Sequence, residues 1–225
     1  MSLLMCQNAL YTLFCRGVDT HNAILRQFTE IPPNPVMPSS WVYFLRLGHL
    51  TQKLVVSEIN QLNSLLLDAV RSGVKLTSDR RLTWFAISRL GMVPCSDAFE
   101  QIRDSDFVEI YNTEGIQIFR NLEFYRLISY TIAEITLHPW YRLYGRDERF
   151  ADQIRSEAFG KALDGRRETF RPAIESHDSF EVMSLDQRRF HILPGVISPL
   201  FDKSGRAVAF LATSNRHRID AGVAS

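Results

Sequence analysis

Apolar residues recur at helical spacing through the first hundred residues, and alternation takes over from residue 106. Over 2–29, Leu3, Leu4, Ala9, Leu10, Leu13, Phe14 and Val18 predict a helix, and Ile24, Leu25 and Phe28 continue it past the polar break Asp19, Thr20, His21. The run Ile31-Pro32-Pro33-Asn34-Pro35-Val36-Met37-Pro38 stops it, because proline lacks an amide donor and restricts the residue before it. Ser39 or Ser40 can cap the next helix, which Trp41 begins. Residues 41–50 and 52–72 then carry a strong stripe. Val55, Ile59, Leu62, Leu66 and Ala69 repeat at heptad spacing over about two heptads. The stripe suits packing inside its own domain, or a self-association face built on Val55, Ile59, Leu62 and Leu66. Gly73 suits a helix end. Ser78 and Asp79 can cap a helix over 80–90, closed by Gly91 and Pro94, and Ser96 can head a short connecting helix into the next domain.

From 106 onward the period is two. Phe107–Tyr111 and Ile116–Phe119 read as strands around a turn at Asn112 and Gly115. An apolar helix over 122–130 follows, and Thr131 with Glu134 forms a capping box for another. Residues 137–148 read as irregular, held by Pro139 and Trp140. A helix over 149–163 puts Phe150, Ile154, Ala158 and Ala162 on one face, and Gly165 ends it. Strands around 179–185, 188–201 and 206–214 close the pattern, with turns at Asp186-Gln187 and over 202–205. The predicted fold is α+β: an all-helical region over 1–95, a connecting helix over 96–105, a five-stranded antiparallel sheet with helices on one face over 106–218, and a tail over 219–225.

Composition narrows the function classes. Hydrophobic content of 45%, charged content of 23% and a net charge of +1 fit an ordinary globular chain, with no global pull toward nucleic acid or a membrane surface. Cys6, Cys15 and Cys95 are few and widely spaced, which points to a reducing compartment and a cytoplasmic location. No apolar run reaches the roughly 18 residues of a membrane span. Residues 1–15 lack the basic lead of a signal peptide. Gly-rich phosphate loops, metal-spaced Cys/His clusters and HExxH are all missing from the sequence, so no enzyme is expected. Asp147, Glu148 and Asp152 suit a helix N-terminus for dipole reasons. Arg80 and Arg81 could touch DNA phosphate, though a solvated helix face accounts for them as well, and nucleic acid is not the expected partner.

The stretch from Asn112 to Ile135 resembles the opening of a PAS domain. Asn121, Phe124, Leu127, Tyr130, Glu134 and Ile135 fall where the family's loose pattern wants them, and His138-Pro139-Trp140 is similar to the Pro-Trp that often follows. The stretch from Arg188 to Ser214 resembles the closing hairpin, with Ser198-Pro199, Asp202 and Gly205 in register. The match covers about residues 106–215, and Ser129 stands where glycine is commoner. No family is identified for 1–95.

The resemblance implies a sensory module, non-catalytic, that encloses a small ligand or pairs with a partner. On the family's register, Leu193, Gly195 and Ile197 on the long strand and Phe210, Ala212 and Ser214 on the last point into a pocket that Trp140, Tyr144 and Phe159 close. Such a pocket suits a small hydrophobic ligand, and the same residues equally suit a filled core. Cofactors are not specified. A flavin photoreceptor needs a cysteine where Trp140 falls, and all three cysteines lie outside the domain. Haem usually takes a histidine from the long helix, which has none, leaving His138 as the lone candidate. Output would run through the N-terminal helices, a homodimer or a protein partner. A constitutive interaction scaffold and a DNA-binding regulator are the alternatives.

Overall fold

A computed structural model describes residues 3–103, 106–113, 116–138, 140–184 and 186–219, with side chains except those of 3–8, 79, 140, 141 and 217. Four helices come first: α1 (Leu3–Phe28), α2 (Pro38–Arg46), α3 (His49–Arg71) and α4 (Asp79–Arg89). α1 and α3 pack against each other, and Gly17 is what permits their approach: a Cβ there would sit 2.9 Å from Ile59 Cγ2. The heptad residues Val55, Ile59, Leu62 and Leu66 are all buried inside this one chain. A stripe so covered is not available to a second copy, which corrects the self-association reading. α2 starts at Pro38, a residue suited to the first turn because its missing amide would be unbonded there anyway. Neither Ser39 nor Ser40 occupies the cap position, which is Met37.

The expected connecting helix over 96–105 is not formed where it is described. Residues 96–100 make turns, and the Asp97 carboxylate accepts from Thr169 Oγ1 at 2.8 Å instead of serving a helix start.

Among the described residues, seven strands form one antiparallel sheet: β1 (Val93–Pro94), β2 (Phe107–Asn112), β3 (Gln117–Arg120), β4 (Tyr144–Gly145), β5 (His177–Glu181), β6 (Arg189–Phe201) and β7 (Ala207–Ile219). Their order is β3-β2-β7-β6-β5-β4, with β1 also on β6. Six of them, β2 to β7, come from the part of the chain where five were expected, and β1 joins from the N-terminal side. β5 covers only Arg189–Ile192 of β6, and β1 pairs with Leu200 and Phe201 further along. β4 lies in the stretch expected to be irregular, and it can pair because Gly145 has no side chain. A Cβ there would meet the Phe180 ring at 2.3 Å.

Between β3 and β5 run α5 (Glu123–Leu127), α6 (Ile132–Leu137), α7 (Trp140–Leu143), α8 (Glu148–Gln153), a π-helical turn over Ile154–Gly160 and α9 (Lys161–Leu163). The last three together make the expected long helix. The capping box at Thr131 and Glu134 forms as the spacing requires.

One buried core runs from Phe14 and Phe44 on the N-terminal helices through Ile59 to Phe119 and Leu211 on the sheet. Glu134 fastens α6 to α2 within it. Fully buried, its carboxylate accepts from Met37 N at 3.1 Å, Ser40 Oγ at 2.6 Å and Thr131 N at 2.7 Å, and also from Thr131 Oγ1. It thus serves two helix starts at once, where unbonded amides and the dipole both favour a carboxylate. No helix is long and apolar enough to cross a membrane among the described residues.

Candidate functional site

A cavity of about 730 Å³ lies between the sheet, α3 and the helices that follow β3. A volume of this size accommodates a small-molecule ligand. Alternation supplies most of its floor. Glu109 and Tyr111 come from β2, and Phe210, Ala212, Ser214 and Arg216 from β7. Ile192, Pro194 and Ile197 come from β6, whose parity changes at a bulge between Pro194 and Ile197. Thr213 holds that bulge: its Oγ1 accepts from Val196 N at 2.8 Å, in the space a Cβ on Gly195 would take. α3 contributes Leu54, Val55 and Glu58, and the π-helical turn contributes Ala158 and Phe159.

Of the residues expected in a pocket, Tyr144, Phe159, Ile197, Phe210, Ala212 and Ser214 meet at this cavity. Leu193 and Gly195 do not. Leu193 is on the opposite face, 40% exposed, because the bulge puts Ile197 and not Gly195 in phase with Pro194. The side chain of Trp140 lies outside the described residues. His138 lines the cavity, buried, with its ring 4.4 Å from that of Tyr43. Burial holds its pKa below the ordinary value, opposed by Glu134 and aided by Arg142.

The cavity is not simply apolar, which revises the expectation of few polar anchors. Arg216 Nη2 meets Glu109 Oε2 at 2.7 Å, Gln117 Nε2 donates to Glu109 Oε1 at 2.7 Å, and Arg216 Nε donates to Ser214 Oγ at 3.0 Å. The guanidinium also lies 5.4 Å from the Phe107 ring and 5.3 Å from that of Phe124. This pair is enclosed and balanced, as a buried charge must be.

Arg120, at the end of β3, is different. It is 4% exposed and lines the cavity, yet its Nε and Nη1 have no hydrogen-bond partner among the described residues. Its guanidinium lies 5.8 Å from the Phe124 ring. The hydroxyl of Tyr144, buried in the same cavity, also has no partner there. Arg146 lines the cavity as well. Burial, then repulsion from Arg216, lowers its pKa to about 10. Burial raises Tyr111 and Tyr144 far above the ordinary phenol, so both remain proton donors. Glu58 is raised by burial against the pull of Arg120.

The chemistry these groups supply is hydrogen bonding and charge. The two described thiols, Cys15 and Cys95, are raised by burial and are therefore held protonated. No group of three or more His, Cys, Asp or Glu is placed to hold a metal ion among the described residues.

Arg120, Arg146 and Arg216 were not among the residues expected at the site, and Tyr111 was expected only as the end of a strand. Parity would have reached Arg216, two residues beyond Ser214 on β7. Arg120 and Arg146 carry no such signal, since they come from unrelated segments and converge only in three dimensions.

No protein-family model and no curated protein matches this chain.

Proposed function

We propose that this protein is a sensory module whose PAS-like sheet and helices bind a small molecule, with the N-terminal helices reading the occupancy. The observation that carries the reading is the cavity itself, walled on one side by β2, β6 and β7 and on the other by α3. A ligand there touches both parts of the chain at once. It can therefore shift an equilibrium of the helices by as much as it prefers one of their arrangements. The chain order of β2 and β3, then helices, then β5, β6 and β7, the last two forming a closing hairpin, supports the PAS resemblance. On this reading the module is non-catalytic, and the donors and charges of the cavity serve to hold a ligand. The cavity behind Phe210 favours this over a scaffold with a filled core. DNA binding through α4 would use Arg80 and Arg81, and the Arg80 guanidinium donates to Phe99 O.

The test is amide hydrogen exchange along α3, with and without a small-molecule extract of the expression host. Slower exchange over residues 54–65 on adding the extract is expected. Unchanged exchange at every cavity-lining segment contradicts the reading.

A further inference from the structure

Polar groups inside a protein are almost always hydrogen-bonded, and a buried one left without a partner is costly. Among the described residues, Arg120 Nε and Nη1 and the Tyr144 hydroxyl have no hydrogen-bond partner, and both residues line the cavity. They lie against one ring: Phe124 is 5.8 Å from the Arg120 guanidinium and 6.3 Å from the Tyr144 ring. Arg120 comes from β3 and Tyr144 from β4, so two separate segments each bring a group more than nine-tenths buried to the same space. A guanidinium only donates, and the Tyr144 phenol keeps its proton. What both call for is an acceptor.

The charges already present decide its kind. Arg216 is matched by Glu109 at 2.7 Å. Glu58, from α3 in the cavity wall, acts on Arg120 electrostatically without bonding to it among the described residues. Arg146 has an interaction of its own. A carboxylate entering here would repeat the negative charge that Glu109 and Glu58 supply. A hydroxyl would bring a hydrogen that needs an acceptor in turn. A carbonyl oxygen brings two lone pairs and neither difficulty. Beyond this polar end the lining is apolar, running past Ile197, Phe210, Ala158 and Phe159.

We infer that the cavity takes an uncharged carbonyl compound, its oxygen accepting from Arg120 and Tyr144 and its apolar body against Phe210 and Phe159. This rests on the cavity's being the ligand site and names the class of ligand. A bond from the guanidinium is charge-assisted although the acceptor is neutral, so one oxygen suffices to set the preference.

Isothermal titration of the full chain with acetophenone, ethylbenzene and benzoate, three molecules of nearly one shape, tests this. Acetophenone is expected to bind about tenfold or more tightly than either of the others. Arg120→Met should bring acetophenone down to the level of ethylbenzene and leave ethylbenzene unchanged. Tyr144→Phe, which keeps the ring, should lose part of the preference, and it carries the test if Arg120→Met fails to fold. Ethylbenzene binding as tightly as acetophenone overturns the acceptor assignment and leaves the cavity reading standing. Benzoate binding as tightly as acetophenone overturns the uncharged class. Full preference for acetophenone in both variants, or in Tyr144→Phe where it alone folds, overturns the assignment to Arg120 and Tyr144. If none of the three probes binds, the cavity reading falls and the inference with it.

Discussion

Two buried charged side chains lie within a few elements of each other and are treated in opposite ways. Glu134, between α2 and α6, has four donors from three residues around its carboxylate. Arg120, at the end of β3, has two donor atoms without a partner among the described residues. The first arrangement is complete without any ligand and joins the N-terminal helices to the sheet-bearing half. The second is incomplete among the described residues, and it faces the cavity. A satisfied buried group marks where the fold is fastened; an unsatisfied one beside a void marks where it works.

The contrast breaks most sharply at Glu134. Glu134→Ala leaves several buried donors without an acceptor and is expected to cost about 4 kcal/mol, read from urea unfolding. A loss below about 1 kcal/mol would show that the seam is not a fastening. Leu66→Ala, fully buried on the heptad stripe, is expected to cost about 3 kcal/mol by cavity formation. The sedimentation coefficient of the folded protein should not change, since the stripe faces its own chain. A shift in oligomeric state would restore the self-association reading.

His21 sharpens the comparison through pH. It is fully buried, its Nδ1 is 3.0 Å from Asn63 Oδ1, and burial lowers its pKa from 6.5 to about 4. Between those values the unfolded chain holds a proton that the folded chain refuses. Stability is therefore complete above about pH 6.5 and is lost as pH falls toward 4. His138 and His177, also lowered by burial, add in the same direction. Melting temperature against pH should fall over this window, and His21→Leu should flatten the fall without abolishing it. An unchanged slope in the variant would contradict the assignment.

The smallest effect is expected at Arg120, and with the opposite sign. Replacing an unpaired buried charge by an apolar side chain of similar length is neutral or stabilising. Arg120→Met should thus unfold at the same urea concentration as the parent or slightly higher, while losing its ligand. Residues kept for function at a cost to stability behave this way. A destabilisation comparable to that of Glu134→Ala would make Arg120 a structural residue.

How much of this could be read along the chain depended on range. The capping box at Thr131 and Glu134 was legible because both partners lie within one helical turn. The helix ends at Gly73 and Gly91 were legible because a positive φ, +74° and +71°, selects glycine locally. What lay further apart was not. The second role of Glu134, at Met37 and Ser40, spans almost a hundred residues. Leu193 was assigned to the pocket by continuing a strict alternation along β6, and the bulge that Gly195 and Thr213 build reverses it. The polar half of the cavity brings Arg120, Arg146 and Arg216 together from three segments, with no periodicity linking them. The stripe over Val55 to Leu66 was visible, but one sequence does not say whether the surface that covers it belongs to the same chain.

The most direct measurement is native mass spectrometry of the purified protein beside its denatured mass, repeated for Arg120→Met and Glu134→Gln. A bound small molecule predicts extra mass on the native parent that vanishes on denaturation, persists in folded Glu134→Gln and is missing from Arg120→Met. The same extra mass on Arg120→Met, or a bare native mass on the parent, would contradict the account.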